Sequence, residues 1–321
     1  MSIYEDICKE LNGATILSED DKVFGYVDSG SLALNRVISG RFDGGYPIGS
    51  ITEIYGESST AKTVFLTHAF VGAQEKGYYT VMIDNEQAYS PPFARKLGVD
   101  ADKLIYLSPE SLEDCFEAIE SVIASIRKHD KDTPIVIGYD SIGVSPARKE
   151  LEGNVGGDNM TGAIRAKQAG ICLRRINPLL RKEKVALIII NQVRNKVSGY
   201  GDPTTKAGGG MALLFYCGLS LKTTSGNSDI IYDDFGNPLG IKGKIKNKKN
   251  KVTIPFQECE FQLLYDKGLT REYGLAETGM KMGLVTSPSK GWYSLDNGET
   301  KSRKENISVA LAKMIEDGEV K

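Results

Sequence analysis

One eight-residue segment of the sequence has the spacing of a phosphate-binding loop. The segment Gly56-Glu57-Ser58-Ser59-Thr60-Ala61-Lys62-Thr63 follows the apolar run ITEIY and precedes a helical pattern that begins at Val64. It matches GxxxxGK[ST] with alanine at the second glycine. This chemistry needs loop amides around the phosphates, a lysine that reaches the terminal phosphates and a hydroxyl that binds Mg²⁺. The helix adds the positive end of its dipole, whereas Ala61 weakens the match because alanine lacks glycine's freedom at positive φ.

Two acids follow apolar strands and complete a nucleotide site. Asp140 closes PIVIGYD, where P-loop NTPases hold Mg²⁺ through water, and Glu86 follows VMID, where a carboxylate can orient or deprotonate the attacking water. The alternatives are a strand-end cap for Asp140 and a surface acid for Glu86. Ligands of open α/β sheets bind at the carboxyl ends of the strands, so the three features together predict ATP and Mg²⁺ binding.

The elements that position these residues alternate between strands and helices. Strands are predicted at 51–56, 78–84, 103–108, 134–140 and 185–193, and Phe116, Ile119, Ile123 and Ile126 mark a crossover helix. This alternation predicts an α/β fold with a central, mainly parallel sheet flanked by helices. The runs 214–224, 251–256 and 260–265 are expected to extend the sheet, antiparallel at its edge. Three stretches, 150–163, 195–211 and 226–250, resist regular structure.

Bulk properties restrict the class of protein. The chain has 321 residues, a net charge of −2 and no apolar run that approaches the roughly 20 residues needed to span a bilayer. Together with an acidic, polar N-terminus, this predicts a cytoplasmic protein without a membrane partner. The five scattered cysteines are expected to be buried reduced thiols rather than a zinc site. Basic residues crowd 242–251 and 174–184, which indicates either local phosphate attraction or a solvated charge run.

A succession of motifs resembles the RecA family. The motifs are GSLALNRVI (30–38), GYPIGSITEIYGESSTAKT (45–63), IDNEQA (83–88), ARKLGVD (94–100), NQVRNKV (191–197), GGGMALLFY (208–216), KKNKVTIPF (248–256), EFQLLY (260–265) and GWYS (291–294). They fall in that family's order and cover about 24–294. Ala61 and the shortened ends suggest a phage-type or otherwise divergent member, similar to UvsX.

The resemblance implies roles for matching positions around the nucleotide. Gly56 to Val64 would bind the phosphates, with Lys62 as a catalytic cation, Thr63 and Asp140 holding Mg²⁺ (Asp140 through water) and Glu86 as the catalytic carboxylate. Gln192 would sense the γ-phosphate, the alternative being an ordinary strand-end amide. Phe93 would stack on adenine, and Ser90 stands where an acidic adenine contact is usual. Lys249 and Lys251 would reach across a subunit boundary to a neighbour's phosphates, as an arginine finger does.

The resemblance also implies DNA binding and self-assembly. Loops 150–163 and 195–211 would bind DNA through the following residues: Met160, Arg165, Arg194, Lys196, Tyr200, Lys206, Gly208, Gly209 and Gly210. The alternative is disordered surface loops in the free protein. Phe215 would pack against the next subunit, or it is a core phenylalanine on a strand. The expected domains are an N-terminal oligomerisation arm (1–23), an ATPase core (24–268) and a small C-terminal α/β region (269–321).

The function implied is that of a DNA-dependent ATPase in homologous recombination and DNA repair. Such a protein forms filaments on single-stranded DNA and pairs it with homologous duplex, with single-strand-binding and loader proteins as further partners. Two alternatives share the core fold: a ring-forming, hexameric helicase-like ATPase and an ATP-gated recombination mediator. The motifs GGGMALLFY and KKNKVTIPF favour the recombinase over the helicase. Retention of Lys62, Glu86 and Asp140 argues against a non-enzymatic mediator.

Overall fold

The computed structural model describes residues 3–11, 24–152, 161–194, 206–207, 210–296 and 298–320. The chain begins with α1 (Ile3–Glu10), and a two-stranded ribbon of β1 (Tyr26–Val27) and β2 (Tyr46–Pro47) encloses α2 (Leu32–Ser39). Ser31 caps the start of α2 by accepting from the Leu34 amide, and Gly40 ends the helix at φ 80.

The next part of the chain alternates strands with helices, as its apolar periodicity predicts. Its elements are β3 (Ile51–Gly56), α3 (Lys62–Glu75), β4 (Tyr79–Asp84), α4 (Pro91–Lys96), β5 (Leu104–Leu107), α5 (Leu112–His129), β6 (Ile135–Asp140), α6 (Arg148–Glu152), α7 (Thr161–Lys182) and β7 (Val185–Arg194). The five strands and the crossover helix predicted here are confirmed. The irregular stretch predicted at 150–163 is helical at both described ends, and 153–160 lie outside the described residues.

The remainder of the chain is mainly β-structure followed by a small helical region. Its elements are β8 (Lys206–Ala207), α8 (Gly210–Tyr216), β9 (Leu219–Thr224), β10 (Ile230–Tyr232), β11 (Pro238–Asn250), β12 (Glu258–Leu264), β13 (Gly268–Leu269), α9 (Leu275–Lys281), β14 (Thr286–Ser289), β15 (Trp292–Ser294) and α10 (Lys304–Glu316).

The main sheet has the order β13-β12-β11-β9-β3-β7-β6-β4-β5. Every pairing from β9 to β5 is parallel, whereas β11, β12 and β13 pair antiparallel at one edge. The predicted mainly parallel sheet with an antiparallel extension is therefore confirmed. The carboxyl ends of β3, β4, β6 and β7 meet at one edge of the sheet.

Three sequence-based element predictions in the second half were wrong in part. The run 214–224 is helical to Tyr216, and its strand, β9, is parallel to β3. The run 251–256 is a turn, because the Asn250 side chain accepts from the amides of Val252 and Thr253 at 2.8 and 3.0 Å and curls the chain. Most of 226–250, expected to be irregular, forms β10 and β11.

The lysine run lies mostly on β11, and two of its lysines pair with acids of the neighbouring strand. Lys244 and Lys246 stand directly opposite Glu260 and Glu258 of β12, with nitrogen–oxygen distances of 4.0 and 3.4 Å. Such cross-strand pairs of opposite charge favour the strand. The segment is therefore a strand whose charge is partly balanced by the acids of β12, while Lys242, Lys248 and Lys251 are exposed.

Both faces of the sheet are covered, which explains the continuous apolar runs of its central strands. One face packs α2 and α3 against a core that includes Phe65, Phe70 and Ile54, and the other packs α5 and α7 through residues such as Phe116 and Leu173. Cys115, Cys217 and Cys259 are buried, as expected, whereas Cys8 and Cys172 are partly exposed. Within the described ranges, no helix combines the length and apolar character that a bilayer crossing requires.

A buried acid joins the three strands at the centre of the sheet. Glu53 of β3 is 3% exposed, and its carboxylate accepts from Asn191 Nδ2 of β7 at 2.9 Å and from Ser220 Oγ of β9 at 2.7 Å. Burial raises the pKa of Glu53, while the two donors lower it. The carboxyl group therefore fixes three neighbouring strands to one another.

The C-terminal region packs onto the core. Leu275, Ala276 and Leu311 belong to the same apolar cluster as β11 and β12. Arg271 also joins the region to the start of the chain, at 3.0 Å from Asp28. The domain boundaries expected at 23/24 and 268/269 stay a prediction.

Candidate nucleotide site

A cavity of 410 Å³ opens at the carboxyl ends of β3, β4, β6 and β7. It gathers the phosphate-loop residues with acids and an amide from the neighbouring strand ends and with apolar residues from β11 and β12. The lining residues are Ser58, Ser59, Thr60, Ala61, Lys62, Thr63, Val64, Glu86, Phe93, Asp140, Ile190, Gln192, Ile241, Leu263 and Tyr265. The parallel register explains the convergence, since Gly56 pairs with Gln192 and Asp84 with Asp140.

The loop between β3 and α3 crosses closely over β9, which explains its first glycine. A Cβ on Gly56 would lie 2.4 Å from Thr223 Oγ1 and 2.6 Å from the Thr223 carbonyl oxygen. Thr60 Oγ1 lies 2.7 Å from the same Thr223 hydroxyl and donates to the Glu57 carbonyl at 2.8 Å. The closed loop therefore requires a residue without a side chain at Gly56.

Ala61 occupies the position where the motif usually has its second glycine. Its φ is 64, in the left-handed region, and α3 begins at the next residue. A side chain at this φ costs about 1–2 kcal/mol in L-amino acids. The loop geometry of the motif is thus retained at an energetic cost that glycine would avoid.

Lys62 is the cation at the floor of the cavity. It is 7% exposed, and its Nζ donates to the Glu57 carbonyl oxygen at 2.6 Å. Burial lowers the pKa of Lys62, while the charges of Asp140 and Glu86 oppose that shift. The ammonium group is therefore aimed into the loop and stabilised by two nearby carboxylates.

Thr63 and Asp140 form the second polar pair. Thr63 Oγ1 donates to Asp140 Oδ2 at 2.8 Å. Burial raises the pKa of Asp140 to about 6, the Thr63 hydrogen bond opposes this shift, and the charges of Glu86 and Asp84 add to it. A buried carboxyl group with a raised pKa and an adjacent hydroxyl suits a hard cation that prefers oxygen ligands.

Glu86 is held by two donors on a single carboxylate oxygen. Ser141 Oγ and Gln192 Nε2 donate to Glu86 Oε1 at 2.7 and 2.8 Å. Three strand ends therefore converge on one carboxylate, because Glu86 follows β4, Ser141 follows β6 and Gln192 lies near the end of β7. Sequence analysis missed Ser141, although its place directly after the strand-end acid Asp140 was a signal.

Apolar and aromatic side chains complete the lining of the cavity. Phe93 lies on α4, which begins after Ser90, whose hydroxyl accepts from the Phe93 amide at 3.4 Å. Leu263 and Tyr265 line the same cavity from β12 and its end. Sequence analysis missed both residues as cavity-lining groups, although their spacing of two within EFQLLY predicts that they share a face.

Lys249, Lys251 and Phe215 do not line this cavity. Lys249 Nζ instead donates to the carbonyl oxygens of Leu214 and Phe215 at 2.6 and 3.0 Å, which caps the C-terminal end of α8. Phe215 is 73% exposed on that helix, so it is not a core residue on a strand. Lys251 is exposed after the end of β11.

The candidate DNA-binding residues lie on or beside the two loops, and only part of them is described. Arg165 on α7 pairs with Glu150 at 2.8 Å. Arg194 ends β7 and stands opposite Lys206 of β8, and Gly210 begins α8. The others fall outside the described residues: Met160, Lys196, Tyr200, Gly208 and Gly209.

Comparisons with known proteins agree with this architecture. A family model described as the RecA N-terminal domain matches residues 6–270. The Protein RecA of Desulforapulum autotrophicum is 33% identical over 284 residues, which cover 88% of this chain and 77% of the relative. The proteins of the same name from a Nocardioides species and Oceanobacillus iheyensis are each 34% identical, cover 89% of this chain, and are themselves covered to 77% and 78%.

Proposed function

The chain belongs to the RecA family of DNA-dependent ATPases that act in homologous recombination and strand exchange, and we propose that the cavity described above is its site of ATP hydrolysis. One observation carries this proposal. The Glu86 carboxylate, fixed by Ser141 and Gln192, lies in the same cavity as the Lys62 ammonium and the Thr63–Asp140 pair. A nucleophile-activating acid, a phosphate-binding cation and a cation-binding oxygen pair are the three groups that phosphoryl transfer to water needs.

We propose Thr63 and Asp140 as the residues that hold Mg²⁺, Asp140 through water. Their fit rests on geometry: the Asp140 carboxylate is buried at the end of β6 and bonded to the Thr63 hydroxyl, so the pair offers the oxygen ligands that Mg²⁺ prefers. A bound Mg²⁺ would neutralise charge on the β- and γ-phosphates. Ionisation of Asp140 would then become favourable, because an adjacent positive charge lowers the pKa of a carboxyl group.

Glu86 is the proposed general base, and Lys62 the proposed phosphate-binding cation. Glu86 Oε1 already holds two donors, which leaves Oε2 as the oxygen to accept a proton from water. Lys62 Nζ now bonds a backbone carbonyl of the same loop, a contact that a phosphate oxygen would replace with a charge-assisted bond. Backbone amides of 56–64 would complete the phosphate cradle, with Phe93 stacked on adenine.

Gln192 is the proposed link between the nucleotide and DNA. Its side chain bonds Glu86, and the segment 195–211 follows shortly after it in the chain. A γ-phosphate that attracted the Gln192 amide would compete with this bond and change the start of that segment. The proposed DNA contacts remain those predicted from the sequence, and Arg165 would have to exchange its partner Glu150 for a DNA phosphate.

Filament formation is the proposed setting for hydrolysis. A head-to-tail interface that does not close generates a helical polymer. Lys249 and Lys251 would enter the neighbour's nucleotide site, while the exposed Phe215 would pack on the neighbouring subunit. We propose single-stranded and duplex DNA as substrates, with single-strand-binding and loader proteins as further partners and the cytoplasm as the location.

The test is ATP hydrolysis with and without single-stranded DNA, with electron microscopy of the same samples. DNA-stimulated turnover together with filaments is the expected result, and Glu86→Gln should retain ATP-dependent DNA binding while turnover is abolished. Closed rings with DNA-independent turnover would favour the helicase-like alternative. ATP-gated DNA binding without turnover would favour the mediator.

A further inference from the structure

The hairpin between β10 and β11 presents an aromatic side chain in an acidic setting. Phe235 at its tip is 92% exposed and follows Asp233 and Asp234. Tyr232 and Leu239, on the two sides of the same turn, are 54% and 45% exposed. A cluster of exposed apolar side chains flanked by polar groups is typical of an interaction site.

The hairpin tip is a fixed structure rather than a loose turn. Asp233 Oδ1 accepts from the amides of Phe235 and Asn237 at 2.9 and 2.7 Å, and its Oδ2 accepts from Asn237 Nδ2 at 2.8 Å. Gly236 takes the positive φ of 84 that this turn needs. The Asp233 carboxylate is therefore used within the turn, whereas Asp234 is exposed beside Phe235.

A second cavity of the molecule is apolar and positively charged, and it therefore complements the apolar, acidic tip of the hairpin. It has a volume of 460 Å³ and lies between α2, α9 and the segment that joins β11 to β12. Val37, Phe256 and Met282 supply its apolar lining, and Arg36 and Lys281 supply two positive charges. Glu258 also lines the cavity, but its carboxylate pairs with Lys246.

The two positive charges of the cavity lack a carboxylate partner among the described residues. Arg36 Nε donates to the Met282 sulfur at 3.4 Å, and Lys281 Nζ donates to the Glu258 carbonyl oxygen at 2.9 Å. Neither side chain takes part in an ion pair of the described chain. An acidic segment with one apolar anchor would satisfy both the charge and the apolar lining of this cavity.

Strand β11 separates the hairpin tip from this second cavity. Ile241, near the hairpin, lines the nucleotide site, whereas Lys249 lies eight residues along the same strand. At about 3.3 Å per residue the separation is about 26 Å, so the two ends face different sides of the subunit. Phe256, which lines the second cavity, lies near the Lys249 end of β11, because its amide donates to the Asn247 carbonyl oxygen at 2.8 Å.

We infer that the hairpin tip of one subunit docks in the Arg36–Lys281 cavity of the next copy of this chain, with Phe235 as the anchor and Asp234 as the charge partner. The inference rests on the proposed head-to-tail filament. Suppose that Lys249 and Lys251 of one copy approach the nucleotide site of its neighbour. The neighbour's hairpin then approaches the side of the first copy that carries the second cavity. The contact adds a second point of attachment beside each nucleotide.

Crosslinking tests the contact directly. Asp234→Cys and Lys281→Cys are combined in the full chain, assembled on single-stranded DNA with ATP, and treated with a short bifunctional maleimide. A ladder of covalent multimers is expected for the double variant, and each single variant controls for the native cysteines. Filaments visible by electron microscopy without a ladder would overturn the inference and leave the proposed function intact. Absence of filaments in the unsubstituted protein would instead contradict the proposed function.

Charge exchange provides an independent measurement. Asp234→Lys should weaken filament assembly on DNA about tenfold, and Lys281→Asp in the same chain should restore it, because the pair is then reversed. Phe235→Ala should weaken assembly tenfold or more, since it removes a buried aromatic anchor. Glu299→Lys, a change at another exposed acid, is the control. Equal loss in the control, or no restoration in the double variant, would contradict the pairing.

Discussion

The Thr63 hydroxyl donates to the Asp140 carboxylate at 2.8 Å across the nucleotide cavity, and that carboxylate is the buried acid whose pKa is raised to about 6. A raised pKa in the folded state means that the folded protein binds this proton more tightly than the unfolded chain does. The stability that depends on Asp140 is therefore fully present below the unfolded pKa of about 3.9 and is lost as pH rises to about 6.

Asp140→Asn should stabilise the nucleotide-free protein at pH 8 while it abolishes hydrolysis. The amide cannot ionise, so the free energy of unfolding should increase by about 2–3 kcal/mol relative to the unsubstituted protein. The free energies of unfolding of the variant and the unsubstituted protein should become equal near pH 4. Urea denaturation at several pH values measures this difference, and an equal difference at every pH would contradict the assignment of the titration to Asp140.

His68 should give a pH dependence of the opposite sign. Its Nε2 accepts from the Leu269 amide at 3.0 Å, and burial lowers its pKa to about 4. Stability that depends on neutral His68 is present above the unfolded pKa of about 6.5 and is lost as pH falls to about 4, by about 3 kcal/mol. His68→Gln should remove this loss, measured by thermal unfolding between pH 4 and 7.

The chain contains one other histidine, which provides the control for that experiment. His129 is exposed at the end of α5. His129→Gln is therefore the matched histidine-to-glutamine change at an exposed position, and its midpoint of thermal unfolding at pH 7 should equal that of the unsubstituted protein. The Asp140 and His68 effects partly cancel in the unsubstituted protein, so each is measured as the difference in stability between its own variant and the unsubstituted protein at each pH.

Ala61→Gly should stabilise the protein slightly without loss of turnover. Relief of the left-handed backbone is worth about 1–2 kcal/mol, and loss of one buried methyl group costs about 0.8 kcal/mol. The expected net gain is therefore up to about 1 kcal/mol by urea denaturation. Ala69→Gly, in the right-handed interior of α3, is the matched control and should destabilise; destabilisation by both changes would contradict the proposed strain at Ala61.

Replacement of Lys249 should change the stability of the isolated subunit, whereas replacement of Lys251 should not, although both lysines are proposed to act across a subunit boundary. Lys249 caps α8, so Lys249→Met should lower the free energy of unfolding of the monomer by about 1 kcal/mol. Lys251→Met should leave monomer stability unchanged. Both variants should reduce DNA-stimulated hydrolysis. Equal free energies of unfolding for the Lys249→Met and Lys251→Met monomers would contradict the capping role of Lys249.

Ser141→Ala should lower kcat about tenfold with little change in KM. The substitution removes one of two hydrogen bonds to the Glu86 carboxylate, and a bond to a charged group is worth about 1.5 kcal/mol or more. Ser145→Ala is the control, because that hydroxyl bonds the Ser141 carbonyl and Tyr139 rather than Glu86. A rise in KM alone would mean that Ser141 contributes to binding instead.

Local spacing predicted the parts of this protein that depend on local sequence. The phosphate loop, the strand-end acids and the five central strands follow from motif spacing and apolar runs, since each is encoded within about ten residues. The end of β11 could not be predicted in this way. The Asn250 side chain accepts hydrogen bonds from two backbone amides and bends the chain there. The capping role of Lys249 was also hidden, because its partners lie 34 and 35 positions away.

The bridge made by Glu53 has a mechanical consequence for nucleotide sensing. Because Asn191 donates to Glu53 one position before Gln192, sliding of β7, which carries the proposed sensor, would break this buried hydrogen bond between β7 and β3. If Gln192 senses the nucleotide as proposed, we expect the movement to begin in rotation of the Gln192 side chain rather than in a shift of β7. The central strands would then stay fixed, and only the Gln192 side chain would need to move when the nucleotide changes.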